Sequence, residues 1–241
     1  MLTRRASIAM APAFLALTPT LGAVAAALKI IGFRYVAMFN FKGGVPDDEQ
    51  QRFAKRLREE ANVMPAVTSA TAGQTGMKLG EHSRFAWAVV LDFADPTAFR
   101  TYRDSDALTL AKLSSMLDGY TISQAGNFFQ SSAPDPERAA RNIWSRHIIF
   151  FNFKDKVALE KRASVIADMK VAIGENPFCL NFMVGKNILP RSATSQYEWV
   201  CTVDFASLDD RNAYGKDAIH RAHTETQFLP NCDYTSLNFE P

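Results

Sequence analysis

The chain repeats itself. Shifted by 112 positions without a gap, Arg34 falls on Arg146 and Phe39-Asn40-Phe41-Lys42 on Phe151-Asn152-Phe153-Lys154. Pro65 then meets Pro177, Gly73 meets Gly185, Trp87 meets Trp199, Asp92-Phe93-Ala94 meets Asp204-Phe205-Ala206, and Tyr102 meets Tyr214. A constant offset held over roughly seventy residues means two copies of one supersecondary unit, a tighter constraint than any local propensity. The copies differ at ionisable positions. Tyr35 stands opposite His147, Ser105 opposite Asp217 and Leu108 opposite His220, so the second copy holds the groups acid–base chemistry needs.

Each copy reads as β-α-β-β-α-β. The first strand is 34–42 or 146–154, apolar on both faces as in a strand packed on both sides. A helix opens at Asp47 or near Val157. Its inward stripe is read as Phe53, Leu57, Ala61 and Met64 in copy one, and as Leu159, Ala163, Ile166 and Ile173 in copy two. Pro65 and Pro177 stop these helices. Strands follow at about 66–75 and 84–93, and at about 178–187 and 196–205. A helical stretch carries Tyr102 or Tyr214, and the last strand is 120–129 or 233–239. Asp92 and Asp204, at strand ends, read as caps for the helices that follow. Four antiparallel strands with helices on one face leave the other face apolar, and a second copy can cover it. The expected fold is therefore α+β: two ferredoxin-like repeats closed into one barrel within a single chain.

Residues 1–27 fall outside that fold. Arg4-Arg5 precede an apolar run, Ile8 to Leu21, and Ala23 to Ala27 offers a small-residue cleavage site. This has the form of a twin-arginine export signal, which places the mature chain in the periplasm. The run carries Pro12 and Pro19 and is short for a membrane span of about 20 apolar residues. The expected organisation is a signal at 1–27, a first repeat at 28–130, a linker at 131–141 and a second repeat at 142–241. The formal charge of +2 comes from Arg4 and Arg5; without residues 1–27, 25 basic residues face 25 acidic ones. A neutral chain without basic runs argues against nucleic acid or an anionic membrane as partner. Cys179, Cys201 and Cys232 are odd in number and read as buried thiols.

RHIIFFNFKDK from Arg146, GKN at 185–187, YEWVCTVDFAS from Tyr197 and Tyr214-x-x-Asp217-x-x-His220 together resemble the stress-responsive dimeric A/B barrel (Dabb) family. The likeness covers 146–241 well and 34–130 more weakly. It implies a ferredoxin-like unit that pairs through its sheet. In the family's cyclase members a first-strand histidine, a helix tyrosine and a following histidine serve cofactor-free, aldol-type ring closure. By motif position those roles fall on His147, Tyr214 and His220.

Strand alternation puts His147, Ile149, Phe151 and Phe153 on one face, which must point at the helices if His147 is to meet Tyr214 and His220. Ile149, Phe151 and Asp217 are then candidate substrate contacts. A desolvated His147 would be the neutral base, Tyr214 a carbonyl-polarising donor and His220 a proton carrier; a core histidine satisfied by one carbonyl is the bland alternative. Asp217, His220 and His223 invite a metal reading, but on one continuous helix the stripe drifts and His223 is expected at the solvent beside Arg221. No metal site and no cofactor are expected, and no P-loop, GxGxxG, CxxC pair or nucleophile elbow occurs.

The leading expectation is lyase or cyclase chemistry on a carbonyl-bearing, aromatic or polyketide-like compound. The alternatives are a non-catalytic ligand-binding or self-assembling stress-response barrel, and a haem- or metal-dependent oxidoreductase. The sequence leaves homo-oligomerisation open. The export reading has a direct check: with Arg4→Lys and Arg5→Lys together, the precursor should stay in the cytoplasm on fractionation, while the wild-type mature chain begins near Leu28.

Overall fold

The computed structural model describes residues 31–76, 82–95, 97–98, 121–132, 142–188 and 196–241, with 31–32 and 121–132 as backbone. The expected signal, residues 133–141 of the expected linker, and Tyr102, Ser105 and Leu108 lie outside them. The first repeat contains β1 (Ile31–Phe41), α1 (Asp47–Asn62), β2 (Val67–Gln74), β3 (Trp87–Phe93) and β4 (Thr121–Ser132). The second contains β5 (Ser145–Phe153), α2 (Leu159–Gly174), β6 (Asn181–Lys186), β7 (Trp199–Phe205), α3 (Leu208–Lys216), α4 (Ala218–His223) and β8 (Cys232–Phe239). A π-helical turn, Thr224–Phe228, and a short helical turn, Leu229–Asn231, join α4 to β8.

The two antiparallel sheets have the same order, β2-β3-β1-β4 and β6-β7-β5-β8, which is the ferredoxin-like arrangement. Pro65 and Pro177 each follow a helix end by three residues. The Asn of the repeated Phe-Asn-Phe motif pins the loop entering the third strand. Asn40 donates to the Arg84 carbonyl at 2.8 Å and accepts from the Ala86 N–H at 2.8 Å; Asn152 does the same with Gln196 (3.3 Å) and Glu198 (2.7 Å).

Three apolar layers result. Phe39, Phe53, Leu57 and Trp87 fill the space between the first sheet and α1, and Phe151, Met169, Phe205 and Phe228 fill the equivalent space in the second repeat. The third layer lies between the sheets. There Val36, Met38 and Val90 meet Ile148, Phe150, Val200 and Leu237, each almost wholly buried. The apolar faces of the two sheets therefore cover each other, as the repeat requires. β4 adjoins β6, and β2 reaches β8 through an antiparallel bridge between Thr75 and Phe239. A Cβ at Gly73 would sit 2.5 Å from the Glu240 carbonyl oxygen, so this closure needs glycine there.

Two sequence readings are corrected. On α2 the buried stripe is Val165, Met169, Ala172 and Ile173, whereas Leu159 is 75% exposed. That helix is apolar on more than one side, so periodicity does not select its register. Asp92 and Asp204 are not helix caps. Each stands directly across the ladder from an arginine, Arg34 or Arg146, and binds it with two hydrogen bonds: Nε to Oδ1 at 2.5 Å in both pairs, and Nη2 to Oδ2 at 3.1 and 3.0 Å. The helix after β7 is capped by Ser207, whose Oγ accepts from the Asp210 N–H at 3.0 Å. In the first repeat Asp95 accepts from the N–H groups of Thr97 and Ala98.

Each arginine also crosses to the other repeat. Arg34 donates to Thr202 on β7 at 2.6 Å, and Arg146 donates to Thr71 on β2 at 3.0 Å. Burial alone would raise the Asp204 pKa, but the charge and hydrogen bonds of Arg146 outweigh it and hold the carboxyl below its ordinary value. Removing one partner strands a buried charge, so Arg146→Ala should cost about 3–5 kcal/mol in urea unfolding. The exposed Arg52–Asp48 pair provides the contrast, and Arg52→Ala should cost less than about 1 kcal/mol.

Candidate functional site

β5 presents its odd-numbered residues to the helices. Ile149, Phe151 and Phe153 belong to the helix-side core and Ile148 and Phe150 to the inter-sheet layer, so His147 faces α3. Its ladder neighbours are Val203 on β7 and Asn238 on β8. Above it is an open cavity of about 560 Å³, walled by His147, Asn238, Phe205, Trp144, Arg211 and Tyr214. Gly76 of the first repeat also lines it, so both repeats build the wall.

α3 ends at Lys216, where the ψ of 131° at its C-cap Asp217 breaks the helix, and α4 starts from Asp217 as its N-cap, with the carboxylate accepting from the His220 N–H at 2.8 Å. On an unbroken helix residues six apart point about 120° away from each other. The break instead lays the His220 ring on that of Tyr214, with centroids 3.9 Å apart and a 32° tilt. It also corrects the reading of His223, which is 6% exposed and has Nε2 3.4 Å from the Val165 carbonyl oxygen. One continuous helix through 214–223 would carry His223 outward, and the turn at Asp217 re-aims everything after it.

His147 and Tyr214 thus share the cavity, and His220 lies behind Tyr214. Asp217 is committed to capping. Phe151 is wholly buried among Phe153, Trp199 and Phe228, and Ile149 packs against the same core; neither lines the cavity. Arg211, Trp144 and Asn238 escaped the sequence reading. The repeat carried a signal for them: Arg211 falls opposite Phe99 and Trp144 opposite Gly32, and by ladder register Asn238 corresponds to Phe128.

Burial dominates the electrostatics of the site. Burial, the largest cause, pulls His147 from 6.5 to about 4; the polar groups of Asn238 and the Leu237 backbone beside it offset part of this, and the His220 and Arg211 charges add to it. Burial, with His223 beside it, likewise brings His220 to about 4. Burial holds the Tyr214 phenol well above its usual range, and therefore protonated. Nδ1 of His147, Nδ1 of His220 and the Tyr214 hydroxyl are enclosed and have no hydrogen-bond partner among the described residues. Such groups are costly unless something completes them. Cys179, Cys201 and Cys232 are free and buried; burial raises the Cys201 thiol pKa and pushes that of Cys232 up to about 12, so neither is a nucleophile at neutral pH. Among the described residues no three His, Cys, Asp or Glu side chains are placed to hold a metal ion, and no helix is long and apolar enough to cross a membrane.

The architecture is that of two ferredoxin-like units fused into one α+β barrel, with a helix-side cavity in the second. Residues 146–240 match the family model of the Stress responsive A/B Barrel Domain, and the second repeat is a domain of that family. No curated protein matches the chain. Among solved structures, a candidate monooxygenase of Fusobacterium nucleatum superposes with a TM-score of 0.60 at 9% identity, over 87% of this chain and 92% of that one. A candidate monooxygenase of Lactobacillus acidophilus gives 0.53 at 12%, over 87% and 93%. An anthrone oxidase-like protein gives 0.56 at 8%, over 87% and 90%. At these identities the likeness is one of fold.

The two histidines predict a pH dependence. Each has a folded pKa below that of the unfolded chain, so unfolding takes up protons between the two values. The stability that depends on their neutrality is complete above about pH 6.5 and is lost as pH falls towards about 4. Urea unfolding at stepped pH should show that loss, and His147→Gln should flatten it; an unchanged profile would mean His147 titrates normally.

Proposed function

We propose that the mature protein is exported and that its second repeat binds a small carbonyl-bearing aromatic or polyketide-like compound. On that compound it performs cofactor-independent acid–base chemistry of the lyase or cyclase type. The observation that carries this reading is the pair of unsatisfied groups at one cavity: a neutral imidazole nitrogen on His147 and a protonated Tyr214 hydroxyl. Together they supply an acceptor for a proton and a donor for an oxyanion.

Tyr214 would hydrogen-bond the substrate carbonyl and His147 would take the proton from the adjacent carbon. In the empty cavity His147, at about 4, is a weak base. An enolate forming on Tyr214 would attract the imidazolium and raise that value, so the base strengthens as the reaction proceeds. His220 acts through Tyr214, fixing its ring by stacking and keeping the hydroxyl free for substrate. The same weak basicity favours a second reading, a barrel that binds its ligand without turning it over.

The test starts from the purified mature chain. Its ultraviolet–visible spectrum and metal content address the oxidoreductase alternative, and a screen of aromatic β-keto compounds identifies a turned-over substrate. With that substrate, His147→Ala and Tyr214→Phe should each lower kcat by roughly 10²–10⁴-fold with the circular dichroism spectrum unchanged. Binding without turnover in the wild type would leave the binding reading in its place.

A further inference from the structure

We infer that the ligand of this cavity is an aromatic carboxylate and that Arg211 is the residue that binds its carboxylate group. The inference rests on reading the cavity as a small-molecule site and adds the charge of the molecule it takes.

Arg211 sits on α3 one turn before Tyr214 and lines the cavity. Its guanidinium lies over the Trp144 ring, 5.3 Å from the centroid, which orients the planar fork. Among the described residues that guanidinium has no ion pair and no hydrogen-bond acceptor, and this sets it apart from the other described arginines of the second repeat. Arg146 is bound by Asp204, Arg162 donates to the Val157 carbonyl and Arg221 pairs with Glu225. Nearby acids do not quench it. Asp210 accepts from the Ser207 hydroxyl at 2.7 Å, and Glu240, which also lines the cavity, is exposed and makes no ion pair with Arg211.

A cation with five donors and no acceptor, at the wall of a cavity, calls for an anion. Among the described residues no second lysine or arginine lines the cavity, so the charge they match is single: a carboxylate rather than a phosphate dianion. The other walls, Trp144, Phe205 and Tyr214, are flat rings suited to an aromatic body. The enclosed Tyr214 hydroxyl, on a side chain 5% exposed, is left for a second polar group on the ligand. The first repeat carries Phe99 and Gly32 where the second has Arg211 and Trp144, so the stacked cation is particular to the repeat with the histidines.

The experiment is calorimetric titration of the mature protein with 2-naphthoate and with its uncharged isostere 2-naphthamide, for the wild type and Arg211→Gln. A charge-assisted hydrogen bond at a half-exposed arginine is worth about a tenfold preference for naphthoate in the wild type. Arg211→Gln should erase that preference by weakening naphthoate alone; unchanged naphthamide affinity then also reports an intact cavity. Equal wild-type affinity for the two compounds, or a preference that survives Arg211→Gln, overturns the inference and leaves the small-molecule reading standing. Loss of both affinities in Arg211→Gln, with a lowered Tm, overturns it in favour of a packing role on Trp144. If neither compound binds the wild type, the small-molecule reading of the cavity fails, and this inference with it.

Discussion

Two ion pairs, one wholly buried and one partly, hold the barrel together in a way that apolar packing alone does not. Facing sheets rich in Val, Ile and Phe tolerate sliding, since dispersion and solvent exclusion carry little directional information. Arg34–Asp92 and Arg146–Asp204 supply direction. Each is a cross-strand pair within one sheet whose remaining guanidinium donor reaches a threonine on the other. The symmetry is inexact in an instructive way. Arg34 uses Thr202 on β7 and Arg146 uses Thr71 on β2, while the positions equivalent to these threonines, Val90 and Met183, are apolar. Each repeat gives one hydroxyl from a different strand, so both arginines are satisfied only when the two sheets meet in one register.

With the sheets locked, the helix-side faces are free to differ. The inter-sheet layer needs apolar residues from both repeats, and neither can change it alone. The face under α3 is built mostly by its own repeat, with Gly76 of the first repeat at its edge. The second repeat places His147, Asn238, Arg211 and Tyr214 there, and the corresponding positions of the first repeat's sequence are Tyr35, Phe128, Phe99 and Tyr102. Three of those four positions exchange a polar group for a bulky aromatic one. The polar groups of the cavity thus lie on the helix side of the second sheet, away from the layer between the sheets.

Much of the fold was legible because the repeat doubled each weak signal. Phe-Asn-Phe, the helix-stopping prolines and strand alternation fixed the elements, and the parity of His147 against Ile148 placed it on the helix side. The Arg–Asp pairs were in the same alignment, 58 residues apart in each copy, yet Asp92 and Asp204 were read as caps because a cap is a local motif and a ladder partner is not. The candidate site was less legible for a related reason. A helix reading of 214–223 takes angles from a constant 3.6-residue turn, and Asp217 spends one residue in an extended conformation. That single dihedral brings His220 onto Tyr214 and sends His223 inward. Arg211 was missed because a helix arginine is ordinarily solvent-facing, and only Trp144, from a segment outside the strands, gives it a fixed place.

The bridge between Thr75 and Phe239, with Gly76 and Glu240 just beyond it at the cavity wall, bears on how the molecule forms. These residues are separated by most of the chain, and contacts of such long sequence separation close late and slowly. Each repeat can build its sheet and helices from local pairings, but the cavity acquires its last wall only when β2 and β8 meet. The site is therefore a product of the final docking step, and a half-folded chain, however well formed its second repeat, has no complete pocket to offer.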